Sequence, residues 1–273
     1  MNNEEVTELS GKMPGPTSMV IVGVHGDERC GVDALQAMLP TLQISAGRVF
    51  FAYGNPRAIE KNVRFTETNL NRMFKDSELL PDNERSSYEF ARAQFLKKYL
   101  DKAEALLDVH ASFTPKSRKF IICEKNGFEV TKALPFDTIV TGFDTTQPGG
   151  TDYYMNAKGK IGICVECGFL GDPSSTAIAK ESILRFLEAR GHISPRDLPH
   201  DPQAQIRIYE MYLTKTNSFT LVKAFEDFEE IKEGEIIGLD GTEEVRAPKD
   251  SLIFFARDRT TLGDEAFLLG CLE

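Results

Sequence analysis

Met19-Val20-Ile21-Val22-Gly23-Val24-His25-Gly26-Asp27-Glu28 is an apolar run that ends on an imidazole, with a carboxylate three residues further on. A short, continuous apolar run reads as a strand buried on both faces, as in the parallel sheet of an α/β domain. Helical spacing over residues 31–39, stopped by Pro40, makes the unit strand, turn, helix. A second run, Ala105-Leu106-Leu107-Asp108-Val109, also ends on a histidine, His110. Two histidines and one glutamate form a ligand set of hydrolytic zinc sites, which keep a fourth position open. If His25, Glu28 and His110 converge, the chain is a metal-dependent hydrolase. Gly26 is expected to let the backbone pass close to such a metal. The plainer alternative is that His25 closes a strand and Glu28 decorates the first turn of a helix, where its charge is favoured.

The pattern continues outward from that unit. Strands are predicted at 47–53, 105–109, 119–123, 137–141 and 161–166, and long helices at 86–102 and 174–189. Alternation of this kind implies an α/β fold, a mixed but mostly parallel sheet flanked by helices. His25, His110 and Glu166 all fall at or near strand ends, where such sheets bind ligands. The segment Ser194-Pro195-Arg196-Asp197-Leu198-Pro199-His200-Asp201-Pro202 reads as a linker. Beyond it, short strand candidates at 206–214, 218–224, 234–238, 244–247 and 251–255 suggest a small all-β unit. The expected division is a catalytic domain over 1–200 and a β domain over 204–273 that caps the cleft.

The formal net charge of −10 over 273 residues disfavours nucleic acid as a partner. Residues 204–273 hold 15 acidic and 8 basic side chains, so the last quarter carries most of the excess. No apolar run reaches the roughly 18 residues of a membrane span. Met1-Asn2-Asn3-Glu4-Glu5 is not the start of a signal peptide, which makes the cytoplasm the expected location. Five cysteines, an odd number, argue against a disulfide framework. Strand alternation puts Cys164 and Cys167 on opposite faces, against a shared metal or redox role. His192 and His200 lie away from strand ends and are not expected to be ligands.

Between Gly54 and Phe74 the chain gathers Arg57, Arg64 and Arg72 with Asn62, Asn69 and Asn71. A polar surface loop is one reading, but it leaves a basic loop in an acidic protein unexplained. Arginines pair bidentately with carboxylates, so a clamp for an anionic substrate is the other. Glu166 lies beside the run Ile161-Gly162-Ile163-Cys164-Val165. A charge there is costly unless it is paired, for example with Lys158 or Lys160, or functional.

Taken in order, His25-Gly26-Asp27-Glu28, Asn55-Pro56-Arg57-Ala58, Leu70-Asn71-Arg72-Met73-Phe74, Asp108-Val109-His110 and Val165-Glu166-Cys167-Gly168 resemble the succinylglutamate desuccinylase/aspartoacylase family, a branch of the zinc carboxypeptidase fold. The resemblance implies one Zn2+ per chain on His25, Glu28 and His110. It implies that Arg64 polarises the acyl carbonyl and that Asn71 and Arg72 hold the carboxylate of the amino-acid portion. Arg57 supports the loop or the substrate's charge. Glu166 is implied as the general base that takes a proton from water and delivers it to the leaving amine. The expected activity is deacylation of a small anionic N-acyl amino acid, possible in a homo-oligomer. Alternatives are a metallocarboxypeptidase acting on peptides and a catalytically silent binding protein of the same fold. Two family features lack counterparts. An arginine about ten residues before the catalytic glutamate would fall near Asn156, and a C-terminal tyrosine would fall among Thr260, Thr261 and Leu262.

Overall fold

The computed structural model describes residues 5–196 and 202–273, so His200 and much of the proline-rich linker lie outside the described residues. The first strands are β1 (Thr7–Ser10), β2 (Met13–Val22), β3 (Ala46–Tyr53), β4 (Ala105–Ser112), β5 (Phe120–Cys123), β6 (Thr138–Thr141) and β7 (Ile161–Phe169). Then come β8 (Ala204–Leu213), β9 (Phe219–Leu221), β10 (Glu229–Ile231), β11 (Ile236–Asp240), β12 (Glu243–Arg246), β13 (Ser251–Phe254) and β14 (Glu265–Leu272). Eleven of them form one sheet in the order β1-β3-β2-β4-β7-β5-β6-β8-β14-β13-β10. Its centre, β3-β2-β4-β7, is parallel, as are β5-β6 and β6-β8. The fold is the predicted mixed α/β class, with helices flanking the sheet and a small antiparallel sheet, β12-β11-β9, towards the C-terminus.

The opening apolar run is continuous because both faces of β2 are covered. Val20 and Val22 pack with Leu107, Val109 and Val165 under the helices Arg29–Met38 and Ser175–Ala189. Met19 and Ile21 face the other way, onto Leu70, Met73, Phe74 and the helix Tyr88–Leu100. Each fully buried side chain of this size stabilises the fold by about 1.5–3 kcal/mol. The segment after the linker does not stand off from this sheet. β8 pairs parallel with β6, and β14, β13 and β10 extend the sheet antiparallel beyond it. β14 alternates between two cores, Leu268 on one face and Phe267 and Leu269 on the other.

Gly26 is also required by packing. A Cβ there would stand 2.1 Å from the carbonyl carbon of Ala58. Its N–H donates to the Arg64 carbonyl at 3.2 Å. The glycine lets the helix Pro56–Lys61 press on the turn after β2.

Candidate metal centre

Register brings the site together. Val22 of β2 pairs with Val109 of β4, and His110 pairs with Glu166 of β7, so three adjacent parallel strands end side by side. After β2 the backbone turns at Gly23 (φ +66°) and presents His25, while Glu28 stands at the N-cap of the helix Arg29–Met38. The Glu28 carboxylate makes no cap bond and turns inward instead. Its Oε1 lies 2.7 Å from His25 Nδ1 and its Oε2 lies 2.8 Å from His110 Nδ1. One ligand atom from each of His25, Glu28 and His110 falls within 4.8 Å of the others, and all three residues are buried. This group could bind a metal ion.

The outward nitrogens both face oxygens, His25 through a hydrogen bond and His110 through an ion-pair contact. His25 Nε2 lies 3.0 Å from Asn69 Oδ1, and His110 Nε2 lies 3.2 Å from Asp108 Oδ2. Oxygen partners behind metal-binding imidazoles fix the tautomer and the ring plane. Burial pushes His25 down to about 4, against the pull of Glu28, which keeps it neutral as a ligand must be. Burial also opposes charge on His110, but Asp108, with Cys164 and Glu28, outweighs it and raises that pKa well above the usual value. Burial opposes charge on Glu28 as well, yet the two histidines hold it well below the carboxylate range.

Glu166 is buried beside them, and its Oε2 has no hydrogen-bond partner. Burial, then the Glu28 charge, raises it to about 8. The lysines near it in sequence are engaged elsewhere. Lys158 Nζ sits 2.7 Å from Asp101 Oδ1, and Lys160 Nζ donates to the carbonyls of Leu100 and Asp101. Arg64 Nη1 lies 3.1 Å from Glu28 Oε1. Asn71 lines the same pocket with its Oδ1 unpartnered. Arg72 lines it too, bound through Nε and Nη2 to the two oxygens of Glu265 at 2.9 and 2.7 Å. Arg57 does not line the pocket. It is exposed on the helix Pro56–Lys61 with its guanidinium 4.0 Å over the Tyr88 ring, a placement that suits loop support. Asn156, at the position of the missing arginine, spends its side chain on Asn126, the Gly162 N–H and Asp144.

The basic loop is anchored from below. Glu89, fully buried in the helix Tyr88–Leu100, accepts from the Thr66 N–H at 2.7 Å, the Thr66 hydroxyl at 2.6 Å, the Thr68 N–H at 3.3 Å and Asn55 Nδ2 at 3.2 Å. Burial works against its charge, but these donors, those of Thr66 foremost, hold its pKa below the usual carboxylate value. A depressed pKa means the stabilisation is complete above the unfolded-state pKa and is lost as pH falls through the folded one. Glu89→Gln should therefore cost about 2 kcal/mol at pH 7 in chemical denaturation, and the deficit should shrink in acid. A constant deficit down to pH 3 would count against this anchor.

Several participants carried no signal that motif reading caught. Asp108 was visible, because alternation puts positions 108 and 110 of one strand on one face. Asn69 was visible only as a neighbour of Asn71. Its Oδ1 both caps the turn Leu70–Arg72 at the Asn71 N–H and meets His25. Gln147, Arg257, Arg259 and Glu265 come from distant segments and line the pocket as well. Among them stand Asp144, which burial and Asp152 raise to about 7, and Asp152, which burial raises to about 6. Cys164 lines the pocket while Cys167 packs in the core beneath the helices, the opposite faces that alternation required. All five cysteines are free. His192 is fully buried and spends its ring on the Ala46 carbonyl and the Ser18 hydroxyl, away from the pocket.

Comparison with known proteins points the same way. A family model described as the succinylglutamate desuccinylase/aspartoacylase catalytic domain matches residues 14–189. A succinylglutamate desuccinylase from Pseudoalteromonas atlantica is 22% identical over an alignment covering 96% of this chain and 83% of that one. The crystal structure of succinylglutamate desuccinylase from Vibrio cholerae superimposes with a TM-score of 0.82 at 19% identity, covering 98% of this chain and 85% of that one. A product-bound ectoine utilization protein from Ruegeria pomeroyi gives a TM-score of 0.73 at 21% identity, covering 97% and 88%. The structural likenesses show a shared fold.

Proposed function

The chain belongs to the succinylglutamate desuccinylase/aspartoacylase family, a family of deacylases, and on that premise we propose that it is a zinc-dependent hydrolase of the amide bond in a small N-acyl amino acid. The observation that carries this reading is the buried Glu166 carboxyl, with one oxygen unpartnered, beside the converging His25, Glu28 and His110. The donor set suits zinc, since two imidazole nitrogens and one carboxylate leave a fourth position open. Bound there, zinc lowers the pKa of water from 15.7 to about 7 and polarises a carbonyl.

The chain's own residues do the rest. Glu166 takes the proton from the attacking water at its free Oε2 and hands it to the leaving nitrogen. A carboxyl that the fold lets hold a proton near neutrality is suited to both halves of that transfer. Arg64, held against Glu28, presents a fixed positive charge to the oxyanion that develops on the acyl carbonyl. Asn71 and Arg72 bind the carboxylate of the amino-acid portion, and Arg57 steadies the loop that bears them. Glu265 orients Arg72 and leaves a free N–H on each terminal nitrogen for that carboxylate. The β-rich segment over 204–273 closes the cleft, with Arg257, Glu265 and Phe267 in its wall. No helix among the described residues is long and apolar enough to cross a membrane. Free thiols and an acidic balance fit a cytoplasmic enzyme.

Purified protein with one equivalent of zinc should release free amine from at least one member of a panel of N-succinyl, N-acetyl and N-formyl amino acids, and lose that activity to a chelator. Silence across the panel with zinc bound would remove the deacylase reading. Arg64→Ala should lower kcat by about 10²–10³ on the best substrate, the loss seen when one oxyanion donor is removed. A change confined to KM would reassign Arg64 to binding.

A further inference from the structure

Asp227 is a buried carboxylate in the chain between β9 and β10, and it does not line the pocket. No cation lies within ion-pair distance of it among the described residues. Burying a carboxylate without a countercharge is costly unless hydrogen-bond donors compensate. Two do so here. Its Oδ2 accepts from the Ser112 hydroxyl at 2.9 Å, and its Oδ1 accepts from the Phe255 N–H at 2.7 Å. Ser112 ends β4, two residues beyond His110, and Phe255 follows β13 in the β-rich segment. One carboxylate therefore ties that segment to the strand that carries His110.

The backbone at this junction is strained. Among the described residues, four besides glycine adopt positive φ, and two of them flank the carboxylate: Phe228, next in sequence, at +68°, and Phe255 at +53°. Bulky side chains rarely take this left-handed conformation, which persists only where surrounding contacts force it and gathers at functional sites. What the junction fixes is a wall. Phe113 directly follows Ser112, and its ring packs 5.7 Å from that of Phe255, both lining the pocket. Arg64 stands over the Phe113 ring at 5.6 Å, and Arg257 stands over it at 4.2 Å. The bond from Arg64 Nη1 to Glu28 leaves the guanidinium plane unset, and the ring supplies what the carboxylate does not.

We propose that Asp227 is a positioning residue for the hydrolysis: by clamping Ser112 and Phe255 it seats Phe113 under Arg64, and so fixes that guanidinium against the developing oxyanion. The inference rests on the deacylase reading above and on the part Arg64 has in it. Asp227 acts through these neighbours rather than on the reacting atoms. Its charge also reaches Glu166, where it adds to burial and to Glu28 in raising that carboxyl, so charge and hydrogen bonding have to be separated.

The test compares Asp227→Ala, Asp227→Asn and Ser112→Ala with wild type, each loaded with zinc and assayed at its own optimum pH on the best N-acyl amino acid. Asparagine keeps an acceptor for the Phe255 N–H and can donate to the Ser112 oxygen, but carries no charge. Asp227→Ala should lower kcat about 10- to 100-fold while KM changes by no more than about threefold, the pattern of a misplaced transition-state group. Asp227→Asn should bring kcat back to within about threefold of wild type. In an Arg64→Ala background, Asp227→Ala should cost nothing further, since the group it positions is gone. Ser112→Ala cuts one of the two bonds and should lower kcat by a smaller factor. Should Asp227→Ala not fold, that variant decides, and an unchanged kcat in it overturns the proposal. A lower melting temperature with kcat of the folded enzyme unchanged would make the clamp structural only, and overturn it. So would an asparagine variant as slow as the alanine one, which assigns the effect to charge, or a full further loss without Arg64. If wild type hydrolyses nothing in the panel, the deacylase reading has failed there, and NMR decides Asp227 separately. The Arg64 Nε–H resonance, shifted by the Phe113 ring, should move in Asp227→Ala and return in Asp227→Asn. An unmoved resonance overturns the positioning.

Discussion

Glu166→Gln should bind zinc like wild type and lose about 10²–10⁴-fold in kcat, the range that a positioned proton-transfer group contributes. The substitution preserves shape in a buried position on β7, and Glu166 is not one of the three residues whose ligand atoms converge. Metal content should therefore stay near one equivalent by elemental analysis. The amide cannot take the proton that the free Oε2 is placed to accept. Pre-steady-state mixing should show no burst of amine, because the slowed step precedes its release. A variant within threefold of wild type would end the base assignment. Loss of zinc together with activity would move Glu166 from proton transfer to metal binding.

The centre of the fold was legible because its strands are sealed on both faces. A run such as Met19–Val24 or Ala105–Val109 has no polar side to misread, and both became adjacent central strands. What periodicity cannot carry is the partner. The short strands after the linker showed their alternation, but nothing local says that β8 pairs parallel with β6, more than sixty residues earlier. β10 was invisible for another reason, since Glu229-Glu230-Ile231 buries only Ile231. The apolar run Ala266-Phe267-Leu268-Leu269 of β14, by contrast, has the composition of a buried strand.

The candidate site divides along the same line. His25, Glu28, His110 and Glu166 could be read because each lies near the carboxyl end of a strand or just after one, where register collects side chains. Asn71 and Arg72 were legible as part of a basic loop. The carboxylate that anchors that loop was not, since Glu89 sits in a helix whose pattern reads as amphipathic yet buries both Glu89 and Arg92. The far wall was illegible in principle. Arg72 and Glu265 meet across 193 positions, and Arg257 enters from a segment whose overall charge is negative.

His110→Ala should lower zinc affinity by more than the roughly 10–100-fold that loss of an outer hydrogen-bonding partner costs, and bring turnover to background. Three protein donors become two, and the cost is not confined to the metal. Glu28 Oε2 loses its 2.8 Å partner and keeps only the Ala111 N–H, and Asp108 Oδ2 is left with the Thr151 hydroxyl. Removing one member of a buried charged set costs about 3–5 kcal/mol, so the metal-free variant should unfold at lower denaturant than metal-free wild type. Asp108→Asn separates the two effects, since it keeps every ligand and weakens only the support behind His110. It should show the 10–100-fold loss of affinity alone. His192→Ala supplies the opposite control. That histidine is fully buried and hydrogen-bonded at both ring nitrogens, yet lies away from the pocket, so its loss should lower stability and leave zinc content at one equivalent. Should His110→Ala keep wild-type zinc affinity while His192→Ala loses it, the ligand assignment would have to be redrawn around the wrong end of the sheet.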